Sequence, residues 1–128
     1  MPTFQPTIPL GPTTPQTDFA ETEWLMEEVA ADFLDCFRYL FPDHARIMPT
    51  GHSALSVKWA MEDDPHARHP YASPITVRFE PELLEALRAA NIDGRRRIFR
   101  CQDSAMRAGM VGYNPYAPIP QSRVIVLG

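Results

Sequence analysis

The stretch NIDGRRRIFRC, residues 91–101, puts Gly94 and three consecutive arginines into a chain whose formal net charge is −4. When residues 95–110 are wound at 100° per residue, their side chains separate onto two arcs, which predicts a helix with an arginine-rich outer stripe. Gly94 is expected to end the turn before this helix. The inner arc holds Ile98, Phe99, Gln102, Ala105, Met106 and Met110, and the outer arc holds Arg96, Arg100, Asp103 and Arg107.

Charge is divided unevenly between the two halves of the chain. Residues 1–64 contain eleven acidic and three basic residues, a net charge of −8, whereas residues 65–128 contain five acidic and nine basic residues, a net charge of +4. Such a division favours either docking of one half on the other or association with a second copy or an anionic ligand.

Length and composition indicate one α+β domain preceded by a flexible arm. A chain of 128 residues, 45% of them apolar and 22% charged, has the composition of a globular protein and is long enough for a single core. Five prolines exclude helix and central strand from residues 1–17, so the domain is expected to cover residues 18–128. These prolines are Pro2, Pro6, Pro9, Pro12 and Pro15.

A long helix over residues 19–41 is the clearest predicted element. Asp18 and Glu21 have the spacing of a capping box, apolar residues follow at helical intervals, and Pro42 ends the helix. Its outer face is acidic, with Glu27, Glu28, Asp32 and Asp35.

Three further segments predict a three-stranded sheet covered by helices. Alternating apolar residues indicate strands over 53–62 and 75–79, paired antiparallel, and residues 124–127 form an apolar run typical of a buried strand. A helix is expected over 81–91, since Pro81 suits its first turn. The predicted element order is α-β-β-α-α-β.

The sequence contains no motif that predicts catalysis, a cofactor or a membrane span. No glycine-rich phosphate loop is present, and no stretch approaches the roughly 18 apolar residues of a transmembrane helix. Cys36 and Cys101 are expected to be two buried thiols, since neither has a ligand or disulfide pattern around it. We therefore expect a cytoplasmic, non-enzymatic protein without a cofactor.

One loop has residue types that can bind a divalent metal ion. It contains Asp63, Asp64, His66 and His69. Prolines at positions 65 and 70 flank a segment too short for a helix, so the spacing is not that of a metal motif. A solvated hairpin tip is the favoured interpretation, and no metal site is predicted.

The arginine run is the candidate binding site. Cations at the start of a helix face the positive end of its dipole, and an anion there relieves the repulsion. Free backbone N–H groups, a glycine that permits close approach and adjacent guanidinium groups favour phosphate or carboxylate binding. The predicted site residues are Gly94, Arg95, Arg96, Arg97, Arg100 and Arg107.

The segment Ile92-Asp93-Gly94-Arg95-Arg96-Arg97, together with the element order, resembles a type II KH domain. In that family a G-x-x-G loop between two consecutive helices clamps the backbone of a single-stranded nucleic acid. Gly94 matches the first glycine, whereas Arg97 stands where the second is expected. The resemblance implies a KH-like fold and binding of single-stranded nucleic acid, with arginine side chains in place of the full backbone clamp.

An alternative interpretation assigns the arginines to the acidic face of the first helix. Ion pairs between the two faces then hold the domain together or join two copies in a homodimer. The sequence pI of about 5.5 favours this alternative. Two hypotheses remain, a module that binds nucleic acid or another anion and a protein-interaction module.

Overall fold

The computed structural model describes residues 10–117 and 122–128, with side chains from residue 24 onward. Helix α1 spans Leu10–Phe37 and is followed by a short 3-10 turn, η1, over Arg38–Leu40. Three strands come next, β1 (Arg46–Pro49), β2 (Ala54–Lys58) and β3 (Ile75–Phe79). Helices α2 (Pro81–Ala89), α3 (Ile92–Cys101) and α4 (Asp103–Met110) then lead to strand β4 (Arg123–Leu127).

The four strands form one mixed sheet in the order β1-β2-β3-β4. Both β1 and β3 pair antiparallel with β2, and β4 pairs parallel with β3. Three helices lie between β3 and β4 because a parallel pair needs a long crossover connection. The α+β class and the antiparallel pair are confirmed, and the prediction of three strands is wrong.

The unpredicted strand is β1, which lies between the first predicted helix and the predicted strand over 53–62. It has four residues and ends at Pro49, which an edge strand tolerates because one side of its backbone has no partner. A tight turn joins it to β2: Gly51 has a positive φ of 72°, and the Thr50 N–H donates to the Ala54 carbonyl at 2.9 Å. So short a strand contains too few residues to show a period of two.

The first helix begins earlier than expected. Residues 10–17 are helical, which corrects the prediction of an extended arm there, while residues 1–9 lie outside the described part of the chain. Pro12 falls in the first turn, where a backbone N–H has no partner within the helix. At the other end the α-helix stops at Phe37, and the turn η1 ends at Leu40, two residues before Pro42.

The core lies between one face of the sheet and the helices. Phe99 of α3 contacts Phe33 and Phe37 of α1, with ring centroids 5.6 and 6.0 Å apart, and Phe79 of β3 at 6.1 Å. Phe33, Phe99 and Met106 are fully buried. The inward direction predicted for Phe99 and Met106 is therefore confirmed.

The predicted helix 95–110 is two helices. The chain turns at Gln102, and α3 starts at Ile92, three residues before the expected start. Its first turn is fixed by Asn91, whose side chain accepts the Gly94 N–H at 2.9 Å. The two thiols are not both buried, because Cys36 is partly buried and Cys101 is exposed.

Strand β4 is buried on one face only. Ile125 and Leu127 are buried, whereas Val124 and Val126 are 52% and 49% exposed. The predicted strand is present and lies at the edge of the sheet, but only one of its two faces is buried. No helix in the described part of the chain is both long and apolar enough to span a membrane, and the cytoplasmic location stays a prediction.

Helix α4 lies so close to β4 that a side chain at Gly109 would collide with Ile125. A Cβ atom built on Gly109 meets Ile125 Cγ2 at 2.7 Å. We expect Gly109→Ala to lower the free energy of unfolding by about 1–2 kcal/mol, since overpacking costs roughly 1–3 kcal/mol and helix propensity returns part of it. Urea denaturation measures the change.

The matched control repeats Gly109→Ala in an Ile125→Ala background, where the colliding methyl groups are gone. In that background Gly109→Ala is expected to leave the free energy of unfolding unchanged or to raise it. A double-mutant cycle then gives the interaction energy between the two positions. An equal loss in both backgrounds would contradict a collision with Ile125.

Candidate functional site

The arginine at the centre of the predicted anion site is buried in ion pairs. Arg95 is 7% exposed and donates from Nε to Asp32 Oδ2 at 2.6 Å. One terminal nitrogen bonds Glu28 Oε1 at 3.1 Å, and the other bonds the Ala90 carbonyl at 3.2 Å. Each guanidinium nitrogen has a partner within the chain, so Arg95 is not available to a ligand.

The next arginine pairs with the same acidic face. Arg96 donates from a terminal nitrogen to Asp35 Oδ2 at 2.8 Å, and its Nε lies 3.9 Å from Asp32 Oδ1. The predicted alternative, in which arginines meet the acidic face of the first helix, is confirmed for these two residues. A homodimer that joins the acidic face of one copy to the arginines of another stays a prediction. Arg95 and Arg96 already pair within the chain, so they cannot also supply charge to such an interface.

The predicted role of Gly94 at the end of an inter-helix turn is wrong. Gly94 lies in the first turn of α3, and its N–H is already bonded to the Asn91 side chain. A Cβ atom here would meet the Ala90 Cβ at 2.9 Å. The glycine therefore permits a close link between α2 and α3, and its own N–H is not free for an anion.

The remaining arginines of the run differ in their surroundings. Arg97 and Arg100 are exposed and form no ion pair among the described residues. Arg107 pairs with Asp103 at 2.9 Å, and its Nε donates to the Tyr39 hydroxyl, which raises the pKa of Arg107. Nearby, burial raises the pKa of the Cys36 thiol, although Arg100 and Arg96 act in the opposite direction.

A second candidate site is an open cleft of about 940 Å³ at one end of the helix layer. Three segments form it: η1 with the residues that follow, the start of the β2–β3 connection, and the end of α4 with the chain after it. Five aromatic side chains line it. They are Tyr39, Phe41, Trp59, Tyr113 and Tyr116.

Ring contacts and hydrogen bonds hold the wall in place. The Trp59 ring lies 6.1 Å from Phe41 and 6.0 Å from Tyr113, measured between centroids. The Tyr113 hydroxyl donates to the Ser73 carbonyl at 2.6 Å, and burial raises the pKa of Tyr113 to about 12. His44 Nε2 lies 2.8 Å from the Ala60 carbonyl, which can only accept, so Nε2 donates.

A further hydrogen bond joins the loops on either side of the cleft. The Tyr116 hydroxyl donates to Asp64 Oδ2 at 2.7 Å. This bond, with the His66 N–H on the other oxygen, lowers the pKa of Asp64, while the same carboxylate raises the pKa of Tyr116. Asp64 therefore stays ionised.

The carboxylates of the β2–β3 connection lie at the cleft. Glu62, Asp63 and Asp64 all line the cleft, and no Lys or Arg does so among the described residues. In the same part of the chain no three His, Cys, Asp or Glu side chains converge as metal ligands. The loop whose residue types can bind a divalent metal ion therefore forms the acidic border of the aromatic cleft.

Comparisons of the chain with protein families, curated proteins and solved structures gave no match. The function is therefore argued from the geometry of this chain. Sequence reasoning missed the cleft because its rings come from three separate segments. The available signal was the density of aromatic and proline residues in the segment YNPY, residues 113–116.

Removing the buried acid should destabilise the fold far more than removing its exposed neighbour. Asp32→Ala leaves Arg95 buried without its closest partner, and we expect a loss of about 3–5 kcal/mol in the free energy of unfolding. Asp35→Ala breaks only the exposed pair with Arg96, which is worth about 0–1 kcal/mol. Urea denaturation of both variants provides the comparison. Equal losses in the free energy of unfolding would contradict the greater importance of the buried Asp32 for stability.

Proposed function

We propose that this chain is a non-enzymatic binding module and that the aromatic cleft is its binding site. The observation that carries the proposal is the cavity of about 940 Å³ with five aromatic side chains in its wall. Sites for small organic ligands typically enclose roughly 300–1,000 Å³ and combine an apolar wall with a few oriented polar groups. An apolar or aromatic group fits this wall.

The wall is formed before any ligand arrives. Phe41 and Trp59 are each 7% exposed, so the core fixes their positions, and the Tyr113 hydroxyl is held by Ser73. A preformed wall loses little conformational entropy on binding, which favours affinity. His44 and Tyr113 both direct their hydrogens to backbone carbonyls, an arrangement that supports binding more than proton transfer.

A bulky side chain placed inside the cleft should block binding. Ala60 lines the cleft and is exposed, so Ala60→Trp fills the space. We expect this variant to bind a neutral apolar dye, N-phenyl-1-naphthylamine, at least about tenfold more weakly than the parent chain, since about 1.4 kcal/mol of lost contact is a tenfold change. Dye fluorescence measures the affinity.

Ala86→Trp is the matched control, because Ala86 is an exposed alanine of α2 that does not line the cleft. It should bind the dye like the parent. If the dye does not bind the parent, or if Ala60→Trp binds it equally well, the cleft is not the binding site.

A second candidate function is binding of single-stranded nucleic acid or another anion by α3. The observation that favours it is the pair of exposed arginines, Arg97 and Arg100, without an ion-pair partner among the described residues. They lie one helical turn apart, so both side chains project from one side of α3. Since Arg95 and Arg96 are engaged by α1, this pair carries the charge on which the proposal depends.

The KH-like resemblance has one supporting and one opposing observation. If β1 and α4 are set aside, the remaining order α1-β2-β3-α2-α3-β4 follows the type II KH order that the sequence suggested. The helices α2 and α3, however, are joined by only Ala90 and Asn91, and Gly94 is helical. Binding by a backbone clamp is therefore not supported, and side-chain contacts from Arg97 and Arg100 are proposed in its place.

Neutralising these two arginines should remove most of the salt dependence of binding to an oligonucleotide. For two phosphate contacts we expect the logarithm of the binding constant to fall with a slope of about −1.4 against the logarithm of salt concentration. Fluorescence anisotropy with a labelled single-stranded oligonucleotide measures the slope, which should approach zero in the Arg97→Gln, Arg100→Gln double variant.

The charge-matched control is the Arg68→Gln, Arg78→Gln double variant, which removes two exposed arginines outside α3. It should keep the parent slope. Failure of the parent chain to bind any oligonucleotide at low salt would reject this second function.

A further inference from the structure

We infer that the ligand of the cleft is an organic cation, a quaternary or protonated amine joined to an apolar or aromatic group. This inference rests on the proposed function and names the class of ligand. Two independent observations support it: the charged groups at the cleft are carboxylates, and its wall is made of aromatic rings.

The carboxylates are adjacent, and two of them have no partner. Glu62 and Asp63 are exposed and take part in no hydrogen bond or ion pair among the described residues. Asp64 beside them keeps its charge because Tyr116 and the His66 N–H stabilise the ionised form. Three neighbouring negative charges repel one another, and a cation bound at the cleft relieves that repulsion.

The aromatic wall attracts a cation for a separate reason. The face of an aromatic ring is electronegative, and a cation within about 6 Å of the ring centroid gains roughly 0.5–2 kcal/mol. Two rings of the cleft already show this attraction inside the chain. The Arg107 guanidinium lies 5.4 Å from the Tyr39 centroid, and the Arg123 guanidinium lies 6.0 Å from that of Tyr113.

These two arginines do not turn the cleft into an anion site. Arg107 is paired with Asp103, and Arg123 donates to the carbonyls of Gly109 and Val111 at 2.7 and 2.9 Å. Neither belongs to the lining of the cleft. An anionic ligand would face Glu62 and Asp63 without a compensating cation from the described lining, whereas a cationic one would meet opposite charge and ring faces together.

The test compares two probes of the same shape, benzyltrimethylammonium and its neutral isostere neopentylbenzene. Chemical-shift titration of the Trp59 indole N–H measures both affinities in the parent chain. We expect the cation to bind about tenfold more tightly, because cation–π attraction and the adjacent carboxylates act together. Added salt should reduce this preference by screening the exposed carboxylates.

Two variants, each of which lacks two acidic charges, complete the experiment. The Glu62→Gln, Asp63→Asn variant should lose about half of the free-energy preference, so that the cation binds only about threefold more tightly than the neutral probe. The Glu82→Gln, Glu85→Gln variant removes the same charge from exposed positions of α2 and should keep the parent preference.

The possible results separate the cation inference from the proposed binding function. Equal binding of the two probes, or an unchanged preference after Glu62→Gln, Asp63→Asn, would overturn the cation inference while the binding function of the cleft stands. Binding of neither probe, together with failure of the neutral dye to bind, would reject the binding function itself. A tenfold preference that depends on Glu62 and Asp63 would establish the class of ligand.

Discussion

The buried ion pair between Arg95 and Asp32 is the interaction on which the rest of the helix layer depends. Their side chains are 8% and 5% exposed, so both charges have left water and each requires the other. The pair connects the C-terminal part of α1 to the first turn of α3, and Glu28 and the Ala90 carbonyl complete the coordination of the guanidinium. Because a guanidinium has a fixed fork of donors, this arrangement specifies one register between the two helices.

That register also positions the walls of the cleft. The turn after α1 supplies Tyr39 and Phe41, while α4, the continuation of α3, leads into Tyr113. A hydrogen bond from the Tyr39 hydroxyl to Asp103 ties the two walls together. The separation of the aromatic rings therefore follows from how α1 and α3 pack, and a loss of the buried ion pair would disturb the site as well as the core.

The elements that the sequence predicted well are those in which a local pattern matches the environment. Strand Ile75–Phe79 and helix Pro81–Ala89 have clear periods of two and 3.6, and both lie where predicted. The start of α3 was misplaced because three arginines obscured the capping role of Asn91, which only the backbone geometry reveals. Sequence reasoning also named the partners of the arginines, since the acidic face of the first helix was one of its two alternatives.

The cleft could not be predicted in the same way. Phe41, Trp59 and Tyr113 lie in three segments without a shared spacing. Tertiary packing alone places the Trp59 ring 6.1 Å from that of Phe41 and 6.0 Å from that of Tyr113. The acidic loop contains residue types that can bind a metal ion, but its spacing favoured a solvated hairpin tip. A cation-binding role requires the neighbouring rings, which a local motif does not contain.

The role of the arginine run in an acidic chain depends on which of its charges remain unpaired after ion pairs form within the chain. Arg95 and Arg96 pair with Glu28, Asp32 and Asp35 of α1, so the run behaves partly as the internal counterion of the first helix and not as a basic patch. The charges that form no ion pair among the described residues include Arg97 and Arg100 on α3, and Glu62 and Asp63 at the cleft. Of these two pairs, only Glu62 and Asp63 adjoin the cleft. A charge beside a preformed aromatic wall can select a ligand. A charge on an open helix surface is largely screened by solvent and salt. The proposed function therefore rests on the acidic residues at the cleft more than on the arginine run.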